Sequence, residues 1–144
     1  MIQLALLALV AAAGVFLAPD WNGAPRLVSA AAGGALMVAG LIVVVLGIRD
    51  LDRSLTPLPY PAERGTLIEH GIYRRLRHPI YSGLVCFALG WGLLTASVAA
   101  LGLTLALAVL LDLKARREEV WLRQRYAGYA DYARRTSRFV PGVY

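Results

Sequence analysis

LVSAAAGGALMVAGLIVVVLGI, residues 27–48, runs for 22 residues without a charge. A bilayer core takes about 20 apolar residues in a helix, so this stretch is the clearest span of the chain. Its glycines, Gly33, Gly34, Gly40 and Gly47, permit close approach of a neighbouring helix and carry no chemistry. Upstream, IQLALLALVAAAGVFLA (residues 2–18) is just long enough for another span. PDWNGAPR separates the two, with Pro19, Asn22, Gly23 and Pro25 as turn residues. No Arg or Lys precedes Arg26, so the basic flank of a signal peptide is missing and residues 2–18 read as a retained span. Downstream, residues 79–94 and 98–113 are shorter apolar runs. TAS (95–97) joins them, too brief for anything but a tight helical hairpin.

The expected fold is an all-α integral membrane protein. It forms a single membrane domain over 1–144, with about four transmembrane helices, a middle loop over 49–78 and an amphipathic tail over 114–144. Bulk composition agrees, at 58% apolar and 17% charged, with a mean hydropathy of +0.59. Asp20 and Arg26 are the only charges before residue 49. Counting Arg and Lys gives one in the loop 19–26, six in 49–78, none in 95–97 and eight from Lys114 onward. By the positive-inside rule both termini and the middle loop face the cytoplasm, across the inner or plasma membrane. The net charge of +6 suits anionic membrane lipids. Nucleic acid is not an expected partner, because the basic residues flank apolar runs rather than lining a soluble face. The single cysteine, Cys86, forms no intrachain disulfide and reads as packing.

Two polar segments carry chemistry. In RLRHPIYSG (75–83), Pro79 marks a helix start and His78 sits at the cap. The first backbone N–H groups of that helix have no intrahelical partner and hold the positive end of its dipole. Such an opening accepts a carboxylate or phosphate, and Arg75 and Arg77 add positive potential. Helical spacing brings Tyr81 and Ser82 near His78. An interfacial His–Tyr anchor is the plain alternative. In LLDLKARREEVWL (110–122), an apolar helix runs into charge. Asp112, Arg116, Glu119 and Arg123 share one face. Glu118 points about 100° away from Glu119, so one carboxylate can face a ligand while the other pairs with an arginine. The alternative is a solvated charge ladder. Further on, Tyr126, Tyr129 and Tyr132 recur at i+3 among basic residues, as in an interfacial segment. They either lie at the headgroups or cover a pocket.

GIYRRLRHPIYSG (71–83), followed after a hairpin by RREEVWLRQRYAGYADYARRTSRFVPG (116–142), resembles the isoprenylcysteine carboxyl methyltransferase family. The phospholipid N-methyltransferases share the two-part pattern. The similarity covers residues 55–142, including the approach TPLPYPAERGTLIEHGIY. It implies an integral membrane enzyme using S-adenosylmethionine (SAM). It implies that His78, Pro79, Tyr81, Gly83, Glu118 and Glu119 line the cofactor site, with Leu67, Gly71 and Tyr73 contributing from the approach loop. Where the family more often has Gly-Pro-Tyr, this chain has Gly71-Ile72-Tyr73. The residues fit the cofactor: the helix opening suits its carboxylate, and Glu118 or Glu119 suits its sulfonium or ribose. No metal-ligand spacing is present. Arg123 and Arg125 are the candidates for orienting an anionic acceptor.

The expected acceptor is a lipophilic small molecule or lipidated substrate from the bilayer, with a carboxylate favoured. An amine headgroup stays open, as does oligomeric state. Two rival readings remain: a sterol-reductase-like enzyme using a nicotinamide cofactor, and a non-enzymatic four-span subunit. No expected span carries a charge near its centre, which a transporter would usually have.

Overall fold

The computed structural model describes residues 2–19, 23–51 and 67–143. Asn22 of the first turn and residues 55–66 of the approach segment lie outside the described residues. Helices follow in the order α1 (Ile2–Phe16), α2 (Ala24–Leu51), α3 (Pro79–Thr95), α4 (Val98–Arg125) and α5 (Tyr129–Arg135), with a short 3-10 turn over Gly71–Arg74. Among the described residues the sole β-type pairing is one parallel bridge, Leu76 with Ser137.

Two helices are long and apolar enough to cross a membrane, Pro25–Leu51 and Val98–Arg125. The other two expected spans form helices of 15 and 17 residues, short of the roughly 20 that a bilayer core takes. α4 also continues past the expected end of its apolar run, through Arg125. No proline or glycine interrupts 112–125, and residues such as Ala115, Glu118, Glu119 and Leu122 favour helix.

The chain divides into two compact units. The first, residues 1–42 and 83–111, is apolar and packs through small residues. A Cβ on Gly40 would stand 2.6 Å from the Phe87 nitrogen and 2.7 Å from the Gly83 oxygen, so only glycine permits this approach of α2 to α3. Gly33 meets Gly90 and Leu94 in the same way, whereas Gly34 opens on empty space and packs against nothing. A single residue step separates the two neighbours' roles, because adjacent residues point about 100° apart. Between α3 and α4, Ala96 takes a left-handed φ of 55°. Ser97 then caps α4, its hydroxyl accepting from the Ala100 N–H at 3.2 Å and donating to the Ala13 carbonyl at 3.0 Å. That is how two residues, Ala96 and Ser97, suffice for the hairpin, with Thr95 of the expected TAS turn still in α3. Leu4, Leu41, Leu105 and Val109 are exposed, as expected of helices whose solvent is lipid.

The second unit, residues 43–82 and 112–144, is the polar one. Its frame is backbone pairing between distant segments. Arg77 N–H donates to the Ser137 carbonyl at 2.9 Å, Ser137 N–H to the Arg75 carbonyl at 3.0 Å, and His78 N–H to the Arg138 carbonyl at 3.2 Å. Tyr129 and Tyr132 are buried here. The Tyr132 hydroxyl donates to the Tyr73 carbonyl at 2.8 Å, and Tyr73 donates to the Gly47 carbonyl at 3.3 Å. These two rings of the tail are therefore core, not headgroup anchors.

Candidate functional site

Pro79 opens α3, where its missing N–H costs nothing, and His78 precedes it, 8% exposed. The imidazole lies between two adjacent carboxylates of α4. Nδ1 is 3.7 Å from Glu118 Oε2, and Nε2 is 3.3 Å from Glu119 Oε1. The second approach lacks hydrogen-bond geometry, so Nε2 stays buried without a hydrogen-bond partner among the described residues. Tyr81 stacks parallel to the imidazole with ring centres 5.5 Å apart, and Phe139 tilts against it at 6.0 Å. The Tyr81 hydroxyl donates to Glu118 Oε1 at 2.6 Å. Lys114 Nζ stands 4.0 Å from the same oxygen and 5.0 Å over the Tyr81 ring.

Glu119, 2% exposed, is held differently. Arg138 grips both of its oxygens, Nε to Oε1 and Nη2 to Oε2, each at 3.0 Å. Arg77 Nε donates to Oε1 at 2.9 Å. Arg77 also donates to the carbonyls of Ala133, at 2.8 Å, and Thr136, so one guanidinium ties α4 to the end of α5. Glu119 lies beyond the apolar run of α4, which ends at Leu113. Burial pushes its carboxyl up, but His78, Arg138 and Arg77 beside it win and hold it well below the usual carboxylate range. The outcome follows from charge-assisted hydrogen bonds on both oxygens.

Five residues singled out from the sequence thus meet: His78, Pro79, Tyr81, Glu118 and Glu119. Others lie elsewhere. Gly71 has a left-handed φ of 57°, and the Asp50 carboxylate fills the space where its side chain would be. Asp50 also accepts the Ile72 N–H at 2.8 Å, so the loop over Gly71 and Tyr73 is tied to the end of α2. Leu67 is half-buried ahead of that loop. The Gly83 backbone packs against Gly40. Arg123 is largely exposed, 3.8 Å from Glu119 Oε2, and Arg125 is exposed in the last turn of α4.

Arg138, Asp50 and Phe139 escaped the sequence reading. Arg138 is one of several arginines in the tail, and only its backbone pairing with His78 distinguishes it. Asp50 carried one local signal, the first acid after a long apolar run.

A family model described as phospholipid methyltransferase matches residues 28–128. Over 115 residues the chain is 31% identical to the probable protein-S-isoprenylcysteine O-methyltransferases of Oryza sativa subsp. indica and subsp. japonica. Those alignments cover 72% of this chain and 60% of each rice protein. Over 80 residues it is 36% identical to the cobalt-zinc-cadmium resistance protein CzcN of Cupriavidus metallidurans, covering 55% of this chain and 37% of that protein. The chain therefore spans about three fifths of the length of the rice relatives. The family match runs from α2 through His78 to Glu118 and Glu119, taking in both segments that build the cluster and well over half of the sequence, and on that ground this membrane protein belongs to the phospholipid methyltransferase family.

Proposed function

We propose that the chain is a SAM-dependent methyltransferase of the isoprenylcysteine carboxyl methyltransferase type. It transfers a methyl group to a lipophilic acceptor, with a carboxylate favoured, at the cytoplasmic face of the inner or plasma membrane. Both termini lie on that face, as the Arg and Lys distribution argues. The observation that carries the reading is the buried His78 imidazole set between two carboxylates at the mouth of a 17-residue helix, its Nε2 3.3 Å from Glu119 Oε1 yet without a hydrogen bond among the described residues.

The residues fit the cofactor. A buried polar atom without a hydrogen bond invites a ligand that completes it. The first N–H groups of α3 suit a carboxylate. Glu118, with one oxygen taken by Tyr81, keeps an acceptor for a cation or ribose hydroxyl. When bound, SAM supplies an electrophilic methyl on a sulfonium.

The chain's own residues position and dehydrate. His78, Tyr81 and Phe139 form an aromatic wall that excludes water, and fixed geometry substitutes for chemical assistance. Arg77 and Arg138 hold Glu119, and so hold the helix register that aims Glu118. Arg123 and Arg125, at the end of α4, orient the acceptor's carboxylate. Leu67, Gly71 and Tyr73 support the cofactor from the approach loop, and Pro79 and Gly83 shape the helix mouth.

The family model's description, phospholipid methyltransferase, favours one second reading, methylation of an amine headgroup. Methyl-labelled SAM incubated with the purified protein and a membrane lipid extract separates the two by mass spectrometry. Label in a base-labile methyl ester supports the first reading. Label on an amine headgroup supports the second. No labelled product, together with no calorimetric binding of SAM or its demethylated product, would falsify both.

A further inference from the structure

The polar unit contains a second concave feature, distinct in its lining from the cluster around His78. It is an open groove of about 740 Å³ at the end of α2, within the size range of small-ligand sites. Val43, Leu46, Ile72, Leu76 and Pro141 give it an apolar floor, and Arg49, Arg74 and Arg75 a basic rim. Gly71 of the approach loop lines it as well, but none of His78, Tyr81, Glu118 or Glu119 does.

Asp50 is the one acidic residue in the lining. Its carboxylate is already engaged, by the Ile72 N–H at 2.8 Å and by Arg49 Nε at 3.2 Å. Arg49, Arg74 and Arg75 are all exposed. Among the described residues, no acidic side chain pairs with Arg74 or Arg75. The rim therefore keeps a net positive charge.

The setting narrows the occupant. The charge-free run of α2 ends at Ile48, so Arg49 falls where a membrane helix meets the headgroups. A small soluble anion would satisfy the arginines and leave the floor wet. A neutral lipid would cover the floor and leave the Arg74 and Arg75 guanidinium groups without an acidic partner among the described residues. A zwitterionic headgroup brings its own cation against them. We infer that this groove holds an acidic phospholipid of the surrounding bilayer, its phosphate between Arg49, Arg74 and Arg75 and its glycerol and upper acyl carbons on the apolar floor. Basic pockets beside membrane helices bind acidic headgroups on the same physical grounds, with arginine forks matching phosphate oxygens.

Native mass spectrometry of the full chain tests this without reference to methyl transfer. The protein is equilibrated in nanodiscs with equal shares of phosphatidylglycerol and phosphatidylcholine, then released, and retained lipid is counted. Wild type should retain phosphatidylglycerol in preference to phosphatidylcholine. Arg74→Gln with Arg75→Gln should weaken phosphatidylglycerol retention about thirty-fold, at roughly one surface-charge increment per arginine, and leave phosphatidylcholine unchanged. Arg74→Lys with Arg75→Lys should recover most of it. Arg117→Gln with Arg134→Gln removes the same charge outside the groove and should change little. Equal losses in the two glutamine pairs would reduce the effect to bulk charge and overturn the assignment. So would unchanged retention in Arg74→Gln/Arg75→Gln, or occupation of the groove by no lipid at all. Should that pair fail to fold, Arg49→Gln, on an exposed side chain at the helix end, gives the same comparison with a smaller loss expected.

Discussion

Within one turn of α4, two adjacent carboxylates meet opposite surroundings. Glu119 points inward, 2% exposed, with both oxygens gripped by Arg138 and one also by Arg77. Glu118 is 17% exposed, bonded to Tyr81 through one oxygen and flanked by His78 and Lys114. The difference teaches that a repeated residue type is not a repeated role. The inner carboxylate is consumed in joining three chain segments, α4, the start of α3 and the tail after α5. The outer one has capacity left for a ligand.

The largest effect expected from this contrast is at Glu119. Glu119→Gln leaves the largely buried Arg77 without this counter-charge and Arg138 with Asp112, 3.4 Å away, in its place, and breaking such a buried pair costs about 3 kcal/mol or more. Thermal unfolding in detergent should show a much lower midpoint, and limited proteolysis should cut between Arg123 and Arg138. A variant as stable as wild type would remove the structural role assigned to this residue.

Glu118→Gln should behave in the reverse sense. Stability should stay within about 1 kcal/mol of wild type, since the group is partly exposed and its neutral amide still accepts from Tyr81. Calorimetric affinity for SAM should fall roughly ten-fold or more, as befits a lost charge-assisted contact. Equal SAM affinity in wild type and variant would reverse the assignment of the two carboxylates.

A third expectation concerns pH. The Glu119 carboxyl titrates lower in the folded chain than in the unfolded one. Below the ordinary carboxylate range the unfolded state binds the proton first, so folding stability drops as pH falls. Its contribution is complete above that range. Glu119→Gln should flatten this acid limb, whereas Glu118→Gln should leave it in place. Chemical unfolding at a series of acidic pH values reads the slope directly.

The smallest effect belongs to Tyr81→Phe, which removes one hydrogen bond to Glu118 and keeps the ring stacked on His78. A loss of about 1 kcal/mol is expected, with SAM affinity reduced less than in Glu118→Gln. A larger loss of affinity than in Glu118→Gln would mean that the tyrosine hydroxyl, not the carboxylate, meets the ligand.

Much of the fold was legible because its determinants are local. A charge-free run of 22 residues cannot leave its backbone unpaired in hydrocarbon, so it must be helix. Pro79 marks a helix start by its fixed φ, and TAS leaves room only for a capped turn. The pairing of His78 with two neighbouring glutamates was partly legible too, since both segments carry polar residues against the edge of apolar runs. Local pattern was weaker where a helix passes from apolar to charged sequence: α4 continues to Arg125, because helix propensity does not end where hydrophobicity does. Tyr129 and Tyr132 had the spacing of an interfacial strip, yet they are buried.

The sequence alone therefore determined an all-helical chain with long apolar runs, where α3 starts, and which residue types stand at its mouth. Each of these depends on properties of residues within a few positions of one another: hydrophobic length, a ring-locked dihedral, charge order. Only the tertiary structure decided that Arg138 rather than another tail arginine grips Glu119, that Asp50 fills the space beside Gly71, and that Arg49, Arg74 and Arg75 border one groove. Each of these three arrangements joins residues 19 or more apart in the chain, and side-chain type carries no record of which distant backbone will lie beside it. The parallel pairing of Leu76 with Ser137 sets that register, through hydrogen bonds that every residue but proline can make.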